Sequence, residues 1–304
     1  MEIRPYGDSD LPWLQHAMAG WIAEAGRCGY DHIGELPHRI YENLRGLPRD
    51  ELVHVWSSGA DVEAVSICLR FGVAFDVFLA PRWRGTEVEA RLLRQAVATT
   101  AVHMGPSEEY VVTDVFSCDA TRISALTGLG FERYRTWDLV RELSPISSVP
   151  SDLPPGFVVR SAGPDDADGL AAARNASFDT DWTGATYRSE VMEKPGYDPA
   201  REIVAVAPDG RIAAYTVYWT DERNRLGHFE PVGTHRDFRR LGLARAVMAT
   251  ALARMHAAGM RSVSVNHNED NAGAGRLYES LGFEVKHRTY GYRSTVDVFW
   301  ERAR

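Results

Sequence analysis

At 304 residues, 44% of them hydrophobic and 25% charged, the chain is long enough for two domains of about 150 residues, each burying its own core. A net charge of -8 argues against nonspecific nucleic-acid binding, which depends on Lys and Arg neutralising phosphates. No apolar run reaches the roughly 18 residues of a membrane span, and the start "MEIRPYGDSDLPW" carries neither a basic leader nor a long apolar stretch, so a cytoplasmic protein with no membrane partner is expected.

The charge is unevenly spread. Residues 1–150 carry 14 basic and 21 acidic side chains, residues 151–304 carry 20 and 21, so the second half is the better host for an anionic ligand. Cys28, Cys68 and Cys118 all lie in the first half, at spacings that fit neither a disulfide framework nor a metal knuckle. No metal site is expected.

The chain opens on "EIRPYGDSDLPWLQ", a short strand, then Asp and Ser caps, then an apolar-periodic helix. The β-branched runs "ELVHVW" and "EAVSICLRFG" read as strands. They are followed by the strand-turn-helix "FDVFLAPRWRGTEVEARLLRQAV" and by "ATRISALTGLGFERY". The segment "SSVPSDLPPGF" is rich in Pro and Ser without periodicity, which makes 147–156 a linker between domains 1–146 and 157–304. Beyond it the pattern returns. "FVVRSAGPDDADGLAAA" answers the opening, "EIVAVA" and "RIAAYTVYW" are strands joined at the hairpin "APDGR", and "FEPVGTHRDFRRLGLARAVMATAL" and "AGAGRLYESLGFEVK" answer the two helical segments. Arg4 aligns with Arg160, Arg84 with Arg239 and Gly130 with Gly282, at offsets of 156, 155 and 152. Three landmarks in register make this one fold written twice. Each half is mixed α and β, with its motif helix between two strands that should be parallel neighbours.

In the second half, Phe229 to Val232 reads as a strand and a helix begins near Gly242. The first N–H groups of a helix have no partner within it and its dipole is positive there, so this end stabilises an anion. Gly242 and Ala244 let a phosphate approach the backbone, and Arg239 and Arg240 add charge. Taken alone, the same pattern also makes an ordinary basic helix cap.

The spacing "R-R-L-G-L-A" after a strand, followed by "NAGAGRLYESLGF", resembles the GNAT superfamily of acyl-CoA N-acyltransferases. Arg239, Gly242 and Ala244 match its Q/R-x-x-G-x-G/A pyrophosphate loop, and Leu277, Tyr278, Gly282 and Phe283 match its later L-Y-x-x-x-G-F helix. Across both halves the resemblance implies two tandem domains, each an α/β mixed sheet flanked by helices with two splayed parallel strands. It implies that acetyl-CoA lies in the gap between those strands, with its pyrophosphate on the N–H groups of Arg240, Leu241, Gly242, Leu243 and Ala244. The thioester would lie beside Val232, Gly233 and Thr234. Pro231 fits a strand edge or bulge there, because it cannot donate to a ladder. Glu230 is then the candidate base, Tyr278 the candidate acid for the departing thiolate, and Asn271 a helix cap touching the cofactor arm. The second half has no cysteine, which excludes an acetyl-cysteine on that domain and favours direct attack in a ternary complex.

The first half departs from the pattern. Glu87 and Glu89 stand against Gly242 and Ala244, Leu126 against Tyr278 and Asp119 against Asn271, and two like charges should repel a pyrophosphate. It is expected to be a degenerate copy, as in bidomain acetyltransferases whose C-terminal domain is the active one. For the acceptor, "ASFDTDWTGATYRSEVMEKPGYDP" offers Asp179, Asp181 and Trp182, and Asp221 lies on the turn before the catalytic strand; acids with aromatics suit a cationic amine. The resulting expectation is an N-acetyltransferase acting on a small-molecule amine, with a homodimer left open. The alternatives are a CoA-binding scaffold without turnover, and an O- or longer-chain acyltransferase on the same fold.

Overall fold

The computed structural model describes residues 1–146, 149 and 152–295. The repeated Arg has a structural cause. After β1 (Glu2–Pro5), Asp10 accepts from the Gly7 N–H at 2.8 Å and from the Arg4 guanidinium at 2.6 and 2.7 Å, and Pro12 fits the first turn of α1 (Leu11–Ala25), where a missing N–H costs nothing. The strands β2 (Val53–Ser58), β3 (Asp61–Arg70) and β4 (Ala74–Leu79) form an antiparallel meander. Next come α2 (Glu87–His103), β5 (Tyr110–Phe116), α3 (Ala120–Gly128) and β6 (Glu132–Leu143).

The second half repeats the scheme from β7 (Val158–Ser161), where Arg160 binds Asp166 at 2.6 and 2.8 Å and Asp166 accepts from the Gly163 N–H at 2.7 Å. Then follow α4 (Ala167–Phe178), the hairpin of β8 (Glu202–Val206) and β9 (Ile212–Asp221), and β10 (Leu226–Thr234). The chain ends on α5 (Leu243–Ala257), β11 (Ser262–Asn268), α6 (Ala272–Ser280) and β12 (Glu284–Thr295). The expected parallel neighbours are present: β4 with β5 and β10 with β11. Helix α5 buries Leu243, Val247, Met248, Ala251, Leu252 and Met255 against this sheet, the stripe that its 3.6-residue period lays on one face.

The compact units are drawn differently from the expected 1–146 and 157–304. They are Met1–Leu139 with His287–Arg304, and Val140–Lys286. The reason is strand pairing. Within the first unit the order is β1-β2-β3-β4-β5-β12, with β12 antiparallel to β5 from Thr289 opposite Phe116 to Thr295 opposite Tyr110. In the second unit the end of β6, from Val140 onward, leads the order β6-β11-β10-β9-β8-β7. Residues 147, 148, 150 and 151 of the expected linker lie outside the described residues.

The first unit also corrects the reading of the cysteines. Cys28 and Cys118 form a disulfide, while Cys68 is free and buried. The partners are 90 residues apart, a pairing that the fold brings about and spacing does not reveal.

The same unit buries a charge cluster in which acids outnumber bases. Arg39 reaches Asp31 at 2.7 Å, Glu35 at 3.2 Å and Asp76 at 2.9 Å, and Arg70 reaches Asp76 at 2.9 Å and Asp114 at 3.6 Å. Burial, reinforced by the neighbouring carboxylates and opposed by Arg39, pushes both Asp31 and Asp138 up to about 7. A carboxyl whose folded pKa lies above its unfolded value stabilises fully below the unfolded value and loses that stability as pH rises through the folded one. Asp138→Asn should therefore gain on the wild type between pH 5 and 8, by roughly 1–3 kcal/mol. Thermal melts across that window check it; a gap independent of pH defeats the assignment.

Candidate active site

The site begins with a break in β10. Its parallel ladder with β11 runs from Leu226 opposite Ser262 to Phe229 opposite Val265 and goes no further. On its other edge the register against β9 slips, from Phe229 opposite Tyr218 to Val232 opposite Thr216. Val217 thus faces both Glu230 and Pro231, a β-bulge at the position where Pro231 removes a donor. Beyond it, β10 and β11 diverge and leave the gap that the sequence anticipates.

Helix α5 starts where Gly242 adopts a left-handed φ of 77°, with Arg240 also left-handed at 66°. Gly242, the N-cap residue, provides no side-chain hydrogen bond to the helix. The first N–H groups of α5 therefore face a cleft of about 700 Å³, with the positive end of the dipole and a turn of alternating backbone hand aimed the same way. Val232, Gly233, Thr234, Arg239, Arg240, Gly242, Leu243, Ala244, Asn271 and Tyr278 all line this cleft. Leu241 is not among its lining residues and is 42% exposed. Sequence reasoning missed Arg245 and Arg276, which add charge to the rim, and Phe178 and Phe238, which add apolar wall.

Gly233 has a second duty. A Cβ there would stand 2.3 Å from Cε1 of Tyr215 and 2.7 Å from its Cζ. Gly233→Ala should push the fully buried Tyr215 ring out of its packing, costing about 1–3 kcal/mol and weakening acetyl-CoA binding. Gly273→Ala, whose nearest neighbour is an Asn271 oxygen at 3.5 Å, should leave binding almost unchanged. Paired melting and titration experiments separate the two.

On the far wall, the Asn271 side chain accepts from the Ala274 N–H at 3.1 Å and caps α6, as Asp119 caps α3 through the Arg122 N–H at 3.0 Å. Tyr278 is 4% exposed, packed between His267 at a centroid distance of 5.5 Å and Phe283 at 6.2 Å. Burial, reinforced by the charge of Glu230 and opposed by Arg141, holds its phenol well above the usual range, so it keeps its proton. The Arg141 Nε donates to His267 Nε2 at 2.9 Å, which leaves the His267 proton on Nδ1, donated to the Asn268 carbonyl at 2.9 Å. Burial and Arg141 hold His267 below its usual value. Nothing in the sequence of β6 marks Arg141 as part of this wall.

The acceptor candidates lie elsewhere. Trp182 is 6% exposed in a core cluster, edge-on to Tyr187 and under the Arg174 guanidinium at 4.8 Å. Asp221 is 1% exposed and ties its own turn, accepting from the Asn224 N–H at 3.1 Å and Nδ2 at 2.6 Å. Asp179 is exposed and pairs with Arg236 at 2.6 Å, and Asp181 is exposed. None of the four lines the cleft.

The equivalent cleft in the first unit is filled by its own side chains. The parallel strands β4 and β5 align only at Ala74 and Val112, so the splay is retained. Arg122, aligned with Ala274, donates from Nη1 to the Val77 carbonyl at 2.9 Å and from Nε to Glu89 at 2.5 Å. Glu89 is fully buried and also accepts from the Gly85 N–H at 2.6 Å, while the Thr86 hydroxyl caps α2 at the Val88 N–H. A small cavity of about 20 Å³ lies next to Val77 and Arg122. Glu87 and Glu89, expected to stand as two charges that repel a pyrophosphate, are each paired within the unit: Glu89 binds Arg122, and exposed Glu87 binds Arg94.

A profile of the acetyltransferase (GNAT) family matches residues 169–283. The mycothiol acetyltransferase of Salinispora arenicola is 30% identical over 226 residues, which cover 70% of this chain and 70% of its own. Among solved structures, a GCN5-related N-acetyltransferase from Sphaerobacter thermophilus superposes with a TM-score of 0.62 and 21% identity, over 97% of this chain and 95% of its own. A tandem GNAT protein from the clavulanic acid biosynthesis pathway gives 0.65 and 18%, over 97% and 98%. With a fold written twice and an open cleft in the second unit carrying the motif residues, the chain belongs to the GNAT family of acetyltransferases, in its tandem form, and is an acyl-CoA N-acetyltransferase.

Proposed function

We propose that the second unit transfers an acetyl group from acetyl-CoA to a primary amine of a small molecule, by direct attack in a ternary complex. The observation that carries this reading is the open α5 N-terminus on a cleft of about 700 Å³ beside the β10 bulge. The residues present fit the cofactor: N–H groups from Arg240 to Ala244 suit a pyrophosphate, Arg239, Arg245 and Arg276 suit its remaining charge, and the divergent edge of β10 suits an extended arm. Acetyl-CoA supplies the activated acetyl thioester. Glu230 takes the ammonium proton of the acceptor, directly or through a water, and the Val232 N–H stands on the strand where an acetyl carbonyl needs a donor. Tyr278, held protonated by burial, donates to the thiolate as it leaves. The second unit contains no cysteine, in keeping with transfer without an acyl-enzyme.

An acceptor screen by mass spectrometry tests the reading, and the relatives' name puts mycothiol-related amines first in the panel. The expected result is one acetyl group gained by a named amine with one free CoA released. Tight acetyl-CoA binding with no acetylated product from any amine would instead favour a non-catalytic CoA-binding protein, and acetylated alcohols an O-acyltransferase.

A further inference from the structure

The β10 bulge leaves two carbonyls, those of Glu230 and Pro231, opposite the single residue Val217, where a regular ladder would offer each a regular partner. Both are taken by side chains of β9. The Trp219 indole Nε1–H donates to the Glu230 carbonyl at 3.0 Å, and the Thr216 hydroxyl donates to the Pro231 carbonyl at 3.0 Å. Trp219 is 9% exposed with the Arg201 guanidinium over its ring at 5.4 Å, and Thr216 is fully buried. The two donors thus hold the peptide planes on either side of Pro231 from the neighbouring strand β9.

We propose that Trp219 and Thr216 are positioning residues for acetyl transfer, holding the bulge so that Glu230 and the backbone at Val232 keep their reactive aim. Neither lines the cleft, so their effect passes through the bulge and not through the cofactor. The inference rests on the proposed function, since Glu230 acts as the base there. Misaligning a reacting group by a fraction of an ångström slows chemistry far more than it weakens binding at a distant loop.

Trp219→Phe removes the N–H and puts a smaller phenyl ring in place of the indole, Thr216→Val removes the hydroxyl and keeps the shape, and Thr216→Ser restores the donor. Steady-state kinetics of the full chain on the amine found by the screen should show kcat lower by about 10-fold in Trp219→Phe and in Thr216→Val. The acetyl-CoA dissociation constant by calorimetry should stay within about 2-fold, and Thr216→Ser should recover most of kcat. A kcat within about 2-fold of wild type in both variants overturns the proposal, as does a loss of kcat that tracks a loss of acetyl-CoA affinity and melting temperature. If the wild type acetylates no amine, it is the proposed function that fails. Backbone amide exchange at Val232 and Gly233 then decides the grip itself: faster exchange in both variants supports it, and unchanged exchange overturns it.

Discussion

Gly242→Glu should abolish acetyl-CoA binding, weakening it more than about 100-fold, while Glu87→Gly leaves it unchanged. Gly242 sits at a φ of 77°, where any side chain is strained, and a glutamate there sets a negative charge against the uncapped N-terminus of α5. The chain already contains the comparison. In the first unit a glutamate four residues past Gly85 takes the loop N–H for itself and pairs with Arg122, whereas the second unit has a cleft of about 700 Å³ at the start of α5. Glu87 by contrast is exposed and occupied with Arg94, so removing it opens nothing. Calorimetric titration should find one acetyl-CoA per chain in the wild type and in Glu87→Gly, and none in Gly242→Glu. Retained tight binding in Gly242→Glu would place the cofactor elsewhere.

Glu230→Gln should lower kcat by about 10²–10⁴-fold with acetyl-CoA affinity intact, the usual range for losing a positioned base. Glutamine keeps the volume at the bulge and still cannot take a proton. With the base gone, the rate depends on the fraction of acceptor that is already free amine. It should rise about tenfold per pH unit up to the acceptor's own pKa, whereas the wild type should level off earlier. Tyr278→Phe should keep the ring between His267 and Phe283 and lose only the proton donor, so its deficit should be smallest at high pH, where a thiolate leaves without help. Stopped-flow detection of free CoA from pH 6 to 10 reads both profiles. Parallel profiles for wild type and Glu230→Gln would remove Glu230 from the chemistry.

What could be read from the sequence was whatever depends on local order. The Arg that recurs 156 residues on marks the same Arg–Asp–Gly cap in both halves, Pro231 announces the bulge, and Asp119 and Asn271 cap equivalent helices because both side chains offer an oxygen at the same position. What could not be read depends on neighbours distant in the chain. Glu89 looks repulsive until Arg122 is known to lie beside it, and Cys28 pairs with Cys118 only after α1 and β5 are placed. Trp182 and Asp221 resemble ligand-binding residues by type, yet one fills a core and the other ties a turn, a difference that burial alone reveals. Arg141 is the sharpest case: it falls before the linker in sequence and belongs to the second unit.

The strand pairing that redraws the units has a practical meaning for dissecting the enzyme. A fragment beginning at residue 157 would lack Val140–Leu143, and with it the Arg141 that fixes the tautomer of His267 beside Tyr278. It would also carry a β12 whose Thr289–Thr295 ladder has lost β5, leaving a bare strand edge of the kind that aggregates. The segment 157–304, which carries the proposed catalytic residues, is therefore expected to be a poor portable fragment, and a silent fragment would report on a missing strand before it reported on a missing function.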